Sequence, residues 1–400
     1  MHELTPRHLL DSVAAGTTSE HDPDAPVLSV DLVGFTAMAW DLASHGFRGA
    51  ELLADITDGV FASVVGAIYR HGGYVAEFGG DAVLGIFPVR EGRDLAALAA
   101  GLEIAEHGSA RHVTPFGEYE VLVKVGIARG EMRWDVLSDE TGTTATYVHW
   151  GTAVVRAAEL ASGGSGESVI VDEPVVERLA DELVVVRDAA GRAVLQSLVS
   201  PPQPLPLPAP EEPHRLAPMF APARLLSWDR RGELRPVVTT FLSLGADASI
   251  DDVRTLIRHL FRLRAVYGGV VHQVERAEKG WVVLLYGGAP VSFPRDVERS
   301  LSLLLDLRDQ CPVPFRSGTT VGLAYSGMVG SAVQSGFSCY GSHINLAARI
   351  MAGGELGSVR SDGSILGRAP GIVDPESLGE RTFKGIGRPV EIFELRRPES

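Results

Sequence analysis

Two aspartates in the first half of the chain give the strongest chemical signal. Asp31 lies in the apolar run VLSVDLVGFT, which predicts a strand that ends in a glycine-containing turn. A carboxylate in such a strand is costly to bury unless it is paired or binds a cation. A buried ion pair or a helix cap is the alternative. We favour a metal ligand, with the backbone N–H groups of Gly34, Phe35 and Thr36 available to a phosphate at the turn.

The second aspartate is Asp81, in the segment FGGDAVLGIF. This segment predicts a β-hairpin whose Gly79-Gly80 tip presents Asp81 beside the strand of Asp31. Two carboxylates on neighbouring strands suit Mg²⁺ in nucleotide chemistry, because this ion keeps some water and takes its other oxygens from phosphates. Glycine-rich turns with aspartate are common, so the motif gains its value from the pairing with Asp31.

The second half of the chain contains a polar pair of another kind. Asn345 and Arg349 stand four residues apart in HINLAARIM, so both lie on one face of a predicted helix. A polar pair on the surface of an amphipathic helix is the alternative reading. The candidate metal ligands and this pair therefore fall in different halves of the sequence.

The elements that position these residues occur twice along the chain. The same motifs follow in the same order in the two halves: YRHGG and AVYGG, then KVGIARG (124–130) and TVGLAYSG (320–327), then WGTAVVRAAELA and YGSHINLAARIM. Three matches in one order predict that the fold was duplicated.

Each half mixes short β-branched runs with amphipathic helical stretches, which predicts two α/β domains. The proline-dense segment 196–235 disfavours regular helix and central strand, so it predicts a linker. We divide the chain into a leader (1–25), a first domain (26–195), this linker, and a second domain (236–397).

The bulk properties narrow the class of protein. A length of 400 residues suits two domains, and the net charge of −15 argues against general affinity for nucleic acid or anionic membrane. The N-terminus does not have the pattern of a secretory signal, no apolar run approaches the ~20 residues of a membrane span, and two cysteines are too few for a disulfide framework. We predict a cytoplasmic protein with neither nucleic acid nor membrane as a partner.

The motifs VDLVGFT, HGGYVAEFGGDAVLGIF, KVGIARGE and GSHINLAARI, in this order, resemble those of class III adenylyl and guanylyl cyclases. The resemblance covers nearly the whole chain outside the leader and linker, and it is strongest to the soluble adenylyl cyclases with tandem cyclase domains. It implies a ferredoxin-like α/β (α+β) core in each half and an intramolecular pseudo-heterodimer. A diguanylate cyclase is a poor alternative, because that family needs GGDEF and has no place for NLAAR.

The resemblance also implies roles for single residues. Asp31 and Asp81 would hold two Mg²⁺ or Mn²⁺ ions, with the carbonyl of Leu32 as a further oxygen ligand. Lys124 matches a lysine that contacts substrate phosphate. Asn345 would orient the ribose, and Arg349 would stabilise charge that develops on the transferred phosphate.

Base selection would fall to Lys279 and Ser338, a pair that fits ATP. Their neighbours Glu278 and Cys339 are of the types that guanylyl cyclases use, so a shift of one residue at both places would favour GTP. Arg276 competes with Lys279, because the second hairpin is three residues longer than the first when both are counted from the GG pair to the aromatic residue after the hairpin.

The decayed positions predict one working site rather than two. The second half has Ser243 in place of Asp31 and no aspartate at its hairpin tip, whereas the first half has Val155, Glu159 and Val148 in place of Asn345, Arg349 and Ser338. The second, degenerate position is where related enzymes hold bicarbonate. There Glu77 and Glu159 would repel an anion, so we expect no activation by bicarbonate.

The predicted reaction is attack of the ATP 3′-hydroxyl on the α-phosphorus, which yields 3′,5′-cyclic AMP and pyrophosphate. Guanylate cyclase activity and a catalytically silent nucleotide-binding module are the alternatives. We expect a monomer with intramolecular domain pairing, and the family predicts a longer parent protein with a C-terminal regulatory region.

Overall fold

The computed structural model describes residues 4–164, 168–209, 212–226, 228, 232–383 and 386–398. The helices and strands of the first half are α1 (Arg7–Ala14), β1 (Ser19–Val33), α2 (Phe35–Ser44), α3 (Gly46–Arg70), β2 (Tyr74–Gly79), β3 (Ala82–Ile86), α4 (Arg93–His107), β4 (Ala110–Val113), β5 (Glu118–Ser138), β6 (Ala145–Trp150), α5 (Thr152–Gly163), β7 (Ser168–Val171), α6 (Glu173–Arg178), β8 (Leu183–Arg187) and β9 (Ala193–Leu198).

The second half begins after two short helices, α7 (Ala217–Phe220) and α8 (Ala223–Leu226). Its elements are β10 (Glu233–Leu244), α9 (Ile250–Tyr267), β11 (Val270–Ala277), β12 (Gly280–Gly287), α10 (Asp296–Gln310), β13 (Phe315–Gly330), β14 (Ser335–Tyr340), α11 (Ser342–Ala352), β15 (Val359–Asp362), a 3₁₀ turn (Gly363–Ile365), β16 (Asp374–Arg381) and β17 (Val390–Arg396).

The chain forms two compact units, each with segments from both halves. Unit 1 comprises residues 1–135, 149–233 and 327–339, and unit 2 comprises residues 136–148, 234–326 and 340–400. The proline-rich segment contains α7 and α8, and Ala217, Ala221 and Leu226 pack with Leu4 in a small apolar cluster. The domain boundaries drawn on the sequence stay predictions.

The two sheets have the same strand order over the described residues. The first runs β2-β3-β1-β5-β7-β9-β8 and the second runs β11-β12-β10-β13-β15-β17-β16. Most neighbours are antiparallel, but β5–β7 and β13–β15 are parallel. Each half thus has a mixed sheet with helices, as the α/β prediction requires.

Helix α3 is the longest helix among the described residues and belongs to the core of unit 1. By length and composition it could cross a membrane, but 56% of its most apolar window is buried inside the protein. Its apolar side, which includes Leu53, Phe61 and Ile68, is fully covered, and α3 packs against α2 and α4. Helix α3 is therefore a core helix of unit 1.

Close helix–strand packing fixes how the two halves correspond. A Cβ at Gly126 would clash with the carbonyl oxygen of Ala157, and a Cβ at Gly318 would clash in the same way with that of Ala347. Gly318 is therefore the counterpart of Gly126. The pairing of KVGIARG with TVGLAYSG was wrong by four residues, because VGIARG corresponds instead to SGTTVG (317–322).

The β2–β3 and β11–β12 hairpins share a bulge. The register shifts between Val75 and Glu77 in one hairpin and between Val271 and Gln273 in the other. Glu77 pairs with Leu84 and Gln273 pairs with Leu284, so these pairs correspond. The second hairpin is four residues longer between the matched pairs rather than the three counted on the sequence, and the extra residues extend its tip.

Candidate functional site

The carboxylates of Asp31 and Asp81 lie beside each other in unit 1. Asp31 on β1 is paired with Ala82 at the start of β3, and the backbone N–H of Leu32 donates to the carbonyl oxygen of Asp81 at 3.1 Å. Both side chains are partly buried. Burial and the charge of Asp81 raise the pKa of Asp31, while Lys124 acts in the opposite direction. The pair is therefore short of positive charge.

Thr36 joins this pair from the first turn of α2. Its hydroxyl donates to Asp81 Oδ2. Helix α2 begins after Gly34, which has a φ of 84° and leaves no room for a Cβ against the carbonyl oxygen of Glu120. Phe35 is fully buried and contacts Phe61 edge to face at 5.7 Å. The turn is thus held by packing on both sides, and the N–H groups of its helix start lie next to the carboxylates.

Lys124 is the cation of the cluster. On β5 it is paired directly with Asp31 on β1. The structure therefore brings together Asp31 on β1, Asp81 in the turn before β3, Lys124 on β5 and the turn of Gly34, Phe35 and Thr36 at the start of α2.

The donor set suits a hard divalent cation. Among the described residues no group of three or more His, Cys, Asp and Glu side chains could hold a metal ion. The two carboxylates and the Leu32 carbonyl are oxygen donors, and Mg²⁺ commonly uses one or two carboxylates and completes its shell with water and substrate phosphate. The unfavourable ionisation of Asp31 is what a bound cation would relieve.

The predicted residues of the second half lie on three elements. Asn345 is exposed and Arg349 is half-buried on α11, while Leu346 and Ile350 of the same helix pack into an apolar cluster. Ser338 on β14 is fully buried, and its hydroxyl has no hydrogen-bond partner within the described part of the chain. Ser338 belongs to unit 1, whereas Lys279, Asn345 and Arg349 belong to unit 2.

The strand register shows that the second half has no aspartate at the positions that correspond to Asp31 and Asp81. Ser243 on β10 is paired with Val282, as Asp31 is paired with Ala82, so Ser243 is the counterpart of Asp31. The counterpart of Asp81 is Trp281, which is buried and donates through Nε1 to the Ala248 carbonyl at 2.9 Å.

Lys279 lies in the second hairpin. Together with Glu278 it forms the exposed tip between β11 and β12, beyond the shared bulge. The competing Arg276 is held by the Ala246 carbonyl at 3.0 Å and lies over the Trp281 ring at 5.4 Å.

Gln273 is not among the residues that the sequence analysis singled out. It is the counterpart of Glu77, whose partly buried carboxylate accepts a hydrogen bond from the His149 backbone N–H at 2.9 Å. The matched bulges are the signal for this equivalence, and a bulge leaves no mark in the sequence at this position.

Comparisons with known proteins cover nearly the whole chain. No protein-family model matches it. It is 25% identical to adenylate cyclase type 10 of Rattus norvegicus over 450 residues, which is 97% of this chain and 28% of that protein. Identity to adenylate cyclase type 10 of Homo sapiens is 23% over 445 residues, or 96% of this chain and 26% of that protein.

Among solved structures, the crystal structure of a class III adenylyl cyclase-like ATP-binding protein from Pseudomonas aeruginosa matches both halves. It has a TM-score of 0.57 and 12% identity, and the match covers 88% of this chain and 86% of that one. The chain has the fold of the class III cyclases. The predicted resemblance to tandem class III cyclases is thereby confirmed. The chain spans about a quarter of the length of the curated relatives, so its own activity is a matter for proposal.

Proposed function

We propose that this protein is an adenylate cyclase that converts ATP into 3′,5′-cyclic AMP and pyrophosphate. The observation behind the proposal is the cluster of Asp31, Asp81, Thr36 and Lys124, which lies on and beside the neighbouring strands β3, β1 and β5 of the unit 1 sheet. The name shared by the relatives and the likeness along the whole chain support cyclase chemistry.

The metal site of this proposal uses two carboxylates. Asp31, Asp81 and the Leu32 carbonyl would hold two Mg²⁺ or Mn²⁺ ions. When bound, these ions supply the positive charge that lowers the pKa of the 3′-hydroxyl and neutralises the phosphates. Lys124 and the N–H groups of Gly34, Phe35 and Thr36 bind phosphate oxygens, which they can do without rearrangement because the turn is packed in place.

The second half supplies the remaining groups in this proposal. Asn345 orients the ribose, and Arg349 stabilises the charge that develops on the α-phosphate. The support is the complementary loss of residues: Ser243 and Trp281 stand where the first half has its aspartates, and Val155 and Glu159 stand where the second has Asn345 and Arg349. In this proposal one site uses residues of both halves of the chain, and we further propose a cytoplasmic monomer.

Base recognition in the proposal rests on Ser338 and on one residue of the second hairpin. Lys279 is the choice from sequence, and we add Gln273 as a candidate, since its counterpart Glu77 is the residue that the resemblance places at the degenerate position of the first half. A glutamine amide both donates and accepts, so it can pair with the adenine edge. ATP is the proposed substrate, and GTP is the alternative.

The direct test is product identification from ATP and from GTP, each with Mg²⁺ or Mn²⁺. We expect cyclic AMP from ATP, and Asp81→Ala and Arg349→Ala should each lower kcat by roughly 100-fold or more. Glu159→Ala is the matched control, because Glu159 is the exposed first-half counterpart of Arg349. Nucleotide binding without turnover in the unmodified protein would favour a silent regulatory module, and cyclic GMP as the main product would favour a guanylate cyclase.

A further inference from the structure

Unit 2 contains a surface cavity of about 340 Å³ with three arginines at its edge. These are Arg235 at the start of β10, Arg295 before α10, and Arg368 after the 3₁₀ turn. Asp296 is the acidic residue of the lining, and its carboxylate already accepts hydrogen bonds from the Ser292 hydroxyl at 2.7 Å and the Phe293 N–H at 3.0 Å. The three arginines outnumber this one acidic residue of the lining.

The corresponding place in unit 1 is filled by an ion-pair network. The guanidinium of Arg129 is 7% exposed; it bonds to Asp94 and lies 2.5 Å from Asp24 Oδ2. Arg178 adds a second cation 3.5 Å from Asp94 Oδ2. Two carboxylates thus balance two arginines there.

The residue equivalence follows from three independent markers. Gly126 and Gly318 correspond, so Arg129 corresponds to Val321. Both α4 and α10 begin after a residue in the left-handed region, Gly92 (φ 71°) and Arg295 (φ 63°), so Asp94, two residues later, corresponds to Val297.

The third marker is an aspartate that caps a short helical turn. Asp172 caps α6 and Asp362 caps the 3₁₀ turn, and each carboxylate accepts from a backbone N–H of that turn. Arg178, the last residue of α6, and Arg368, three residues after the 3₁₀ turn, both stand six residues after their capping aspartate, and we match them by this sequence position. Unit 2 has therefore kept this cation and lost the carboxylate that balances it in unit 1.

Of the remaining differences, one adds a carboxylate, since Asp296 stands where unit 1 has Arg93, and the others add positive charge or space. Val297 and Val321 line the cavity where unit 1 has Asp94 and the Arg129 side chain. Arg295 replaces Gly92, and among the described residues it is the one non-glycine residue with a positive φ, a conformation that is unfavourable for an L residue. Its side chain is 76% exposed, with Glu298 at 3.4 Å. Arg368 has no ion-pair partner in the part of the chain that the structure describes.

We propose that this cavity binds a phosphate-type oxyanion at the place that the Asp94 carboxylate occupies in unit 1. Guanidinium groups present planar pairs of N–H donors that match a tetrahedral oxyanion, and the volume lies in the range of small-ligand pockets. The site uses residues of unit 2 alone, none of which has a role in the proposed reaction.

The test is titration calorimetry of the intact chain with inorganic phosphate, in EDTA and at ionic strength matched with chloride. A Lys124→Ala background removes the phosphate contact proposed for the nucleotide site. We expect one saturable site, with sulfate able to replace phosphate. Val297→Asp, which restores the unit 1 carboxylate beside Arg368, should weaken phosphate binding at least tenfold, and Arg368→Gln should do the same.

Arg178→Gln is the matched control in unit 1 and should leave phosphate affinity unchanged. Arg295→Gly installs the residue that unit 1 has at this position and removes an unfavourable φ, so it should fold and still weaken binding several-fold. Absence of saturable binding, or the same affinity in Val297→Asp, Arg368→Gln and the parent, would overturn the proposal.

Discussion

At the scale of single residues, the candidate metal site lowers the stability of the folded chain when no cation is bound. Asp31 is partly buried next to Asp81, and one lysine only partly compensates for the two carboxylates. The pKa of Asp31 is raised in the folded state, so its ionised form costs stability above that pKa. The cost disappears as the pH falls through it.

This gives a prediction for Asp31→Asn. In EDTA at neutral pH the variant should have a higher Tm than the parent, since the repelled charge is gone, and the difference should vanish at a pH below the pKa of Asp31. Mg²⁺ or Mn²⁺ should raise the Tm of the parent and not that of the variant. Thermal unfolding with and without metal checks this, with Glu159→Gln as a control that should follow the parent. A lower Tm in EDTA would contradict the account of the site.

The second prediction at this scale separates Gln273 from Lys279. If Gln273 contacts the base, Gln273→Ala should lower kcat/KM for ATP about tenfold, the cost of about one hydrogen bond, and should change the ratio of ATP to GTP turnover. Lys279→Ala at the exposed hairpin tip should change either value less than twofold. Steady-state kinetics with both nucleotides decides, and the reverse result would restore Lys279 as the base contact.

At the scale of elements, the turn between β1 and α2 depends on Gly34. Its positive φ costs any L residue about 1–2 kcal/mol, and the Glu120 carbonyl leaves no space for a side chain. Gly46 has a similar φ of 67° but open space around it. The two glycines therefore distinguish backbone strain from steric exclusion.

Gly34→Ala should accordingly lower the free energy of unfolding by at least about 1 kcal/mol more than Gly46→Ala. Because the clash would displace the first turn of α2 and with it Thr36, Gly34→Ala should also reduce metal affinity, whereas Gly46→Ala should not. Urea unfolding and a Mn²⁺ titration measure the two effects. Equal losses of stability would mean that φ alone determines the cost.

The elements also show what could be predicted from sequence. The strand of Asp31 and the hairpin of Asp81 could be predicted from local sequence patterns. Their adjacency could be predicted because two carboxylates near each other suit a metal ion. The register of β13 was misassigned because TVGLAYSG shares the letters VG with KVGIARG. SGTTVG has the matching glycine spacing of four residues, and the packing of Gly318 against α11 identifies it as the counterpart of Gly126. The correspondence of Gln273 with Glu77 could not be predicted from sequence, because a bulge and an extended tip shift residues without altering the hydrophobic pattern.

At the scale of the molecule, the boundaries of the compact units do not follow the sequence repeat. Residues 327–339, from the second half, belong to unit 1. Gln334 in this segment is 1% exposed; it accepts a hydrogen bond from the Tyr69 hydroxyl and donates to the Val75 carbonyl at 2.8 Å. Gly330 and Gly336 lie against the Phe78 ring, with no room for a Cβ at either glycine. Residues of the second half thus complete the core of unit 1.

We therefore expect that the two halves do not fold as independent domains of full stability. A fragment of residues 1–209 should unfold at lower temperature than unit 1 in the intact chain, because Phe78 loses its cover and the buried Val75 carbonyl loses its donor. Mixing it with a fragment of residues 212–400 should restore stability and turnover together. Gln334→Ala in the intact chain should lower both the unfolding temperature and turnover, by less than separation of the halves does. Gln203→Ala, in the exposed proline-rich segment, should change neither. A fragment 1–209 as stable as the intact chain would show that the segment 327–339 does not stabilise unit 1, and it would contradict this prediction.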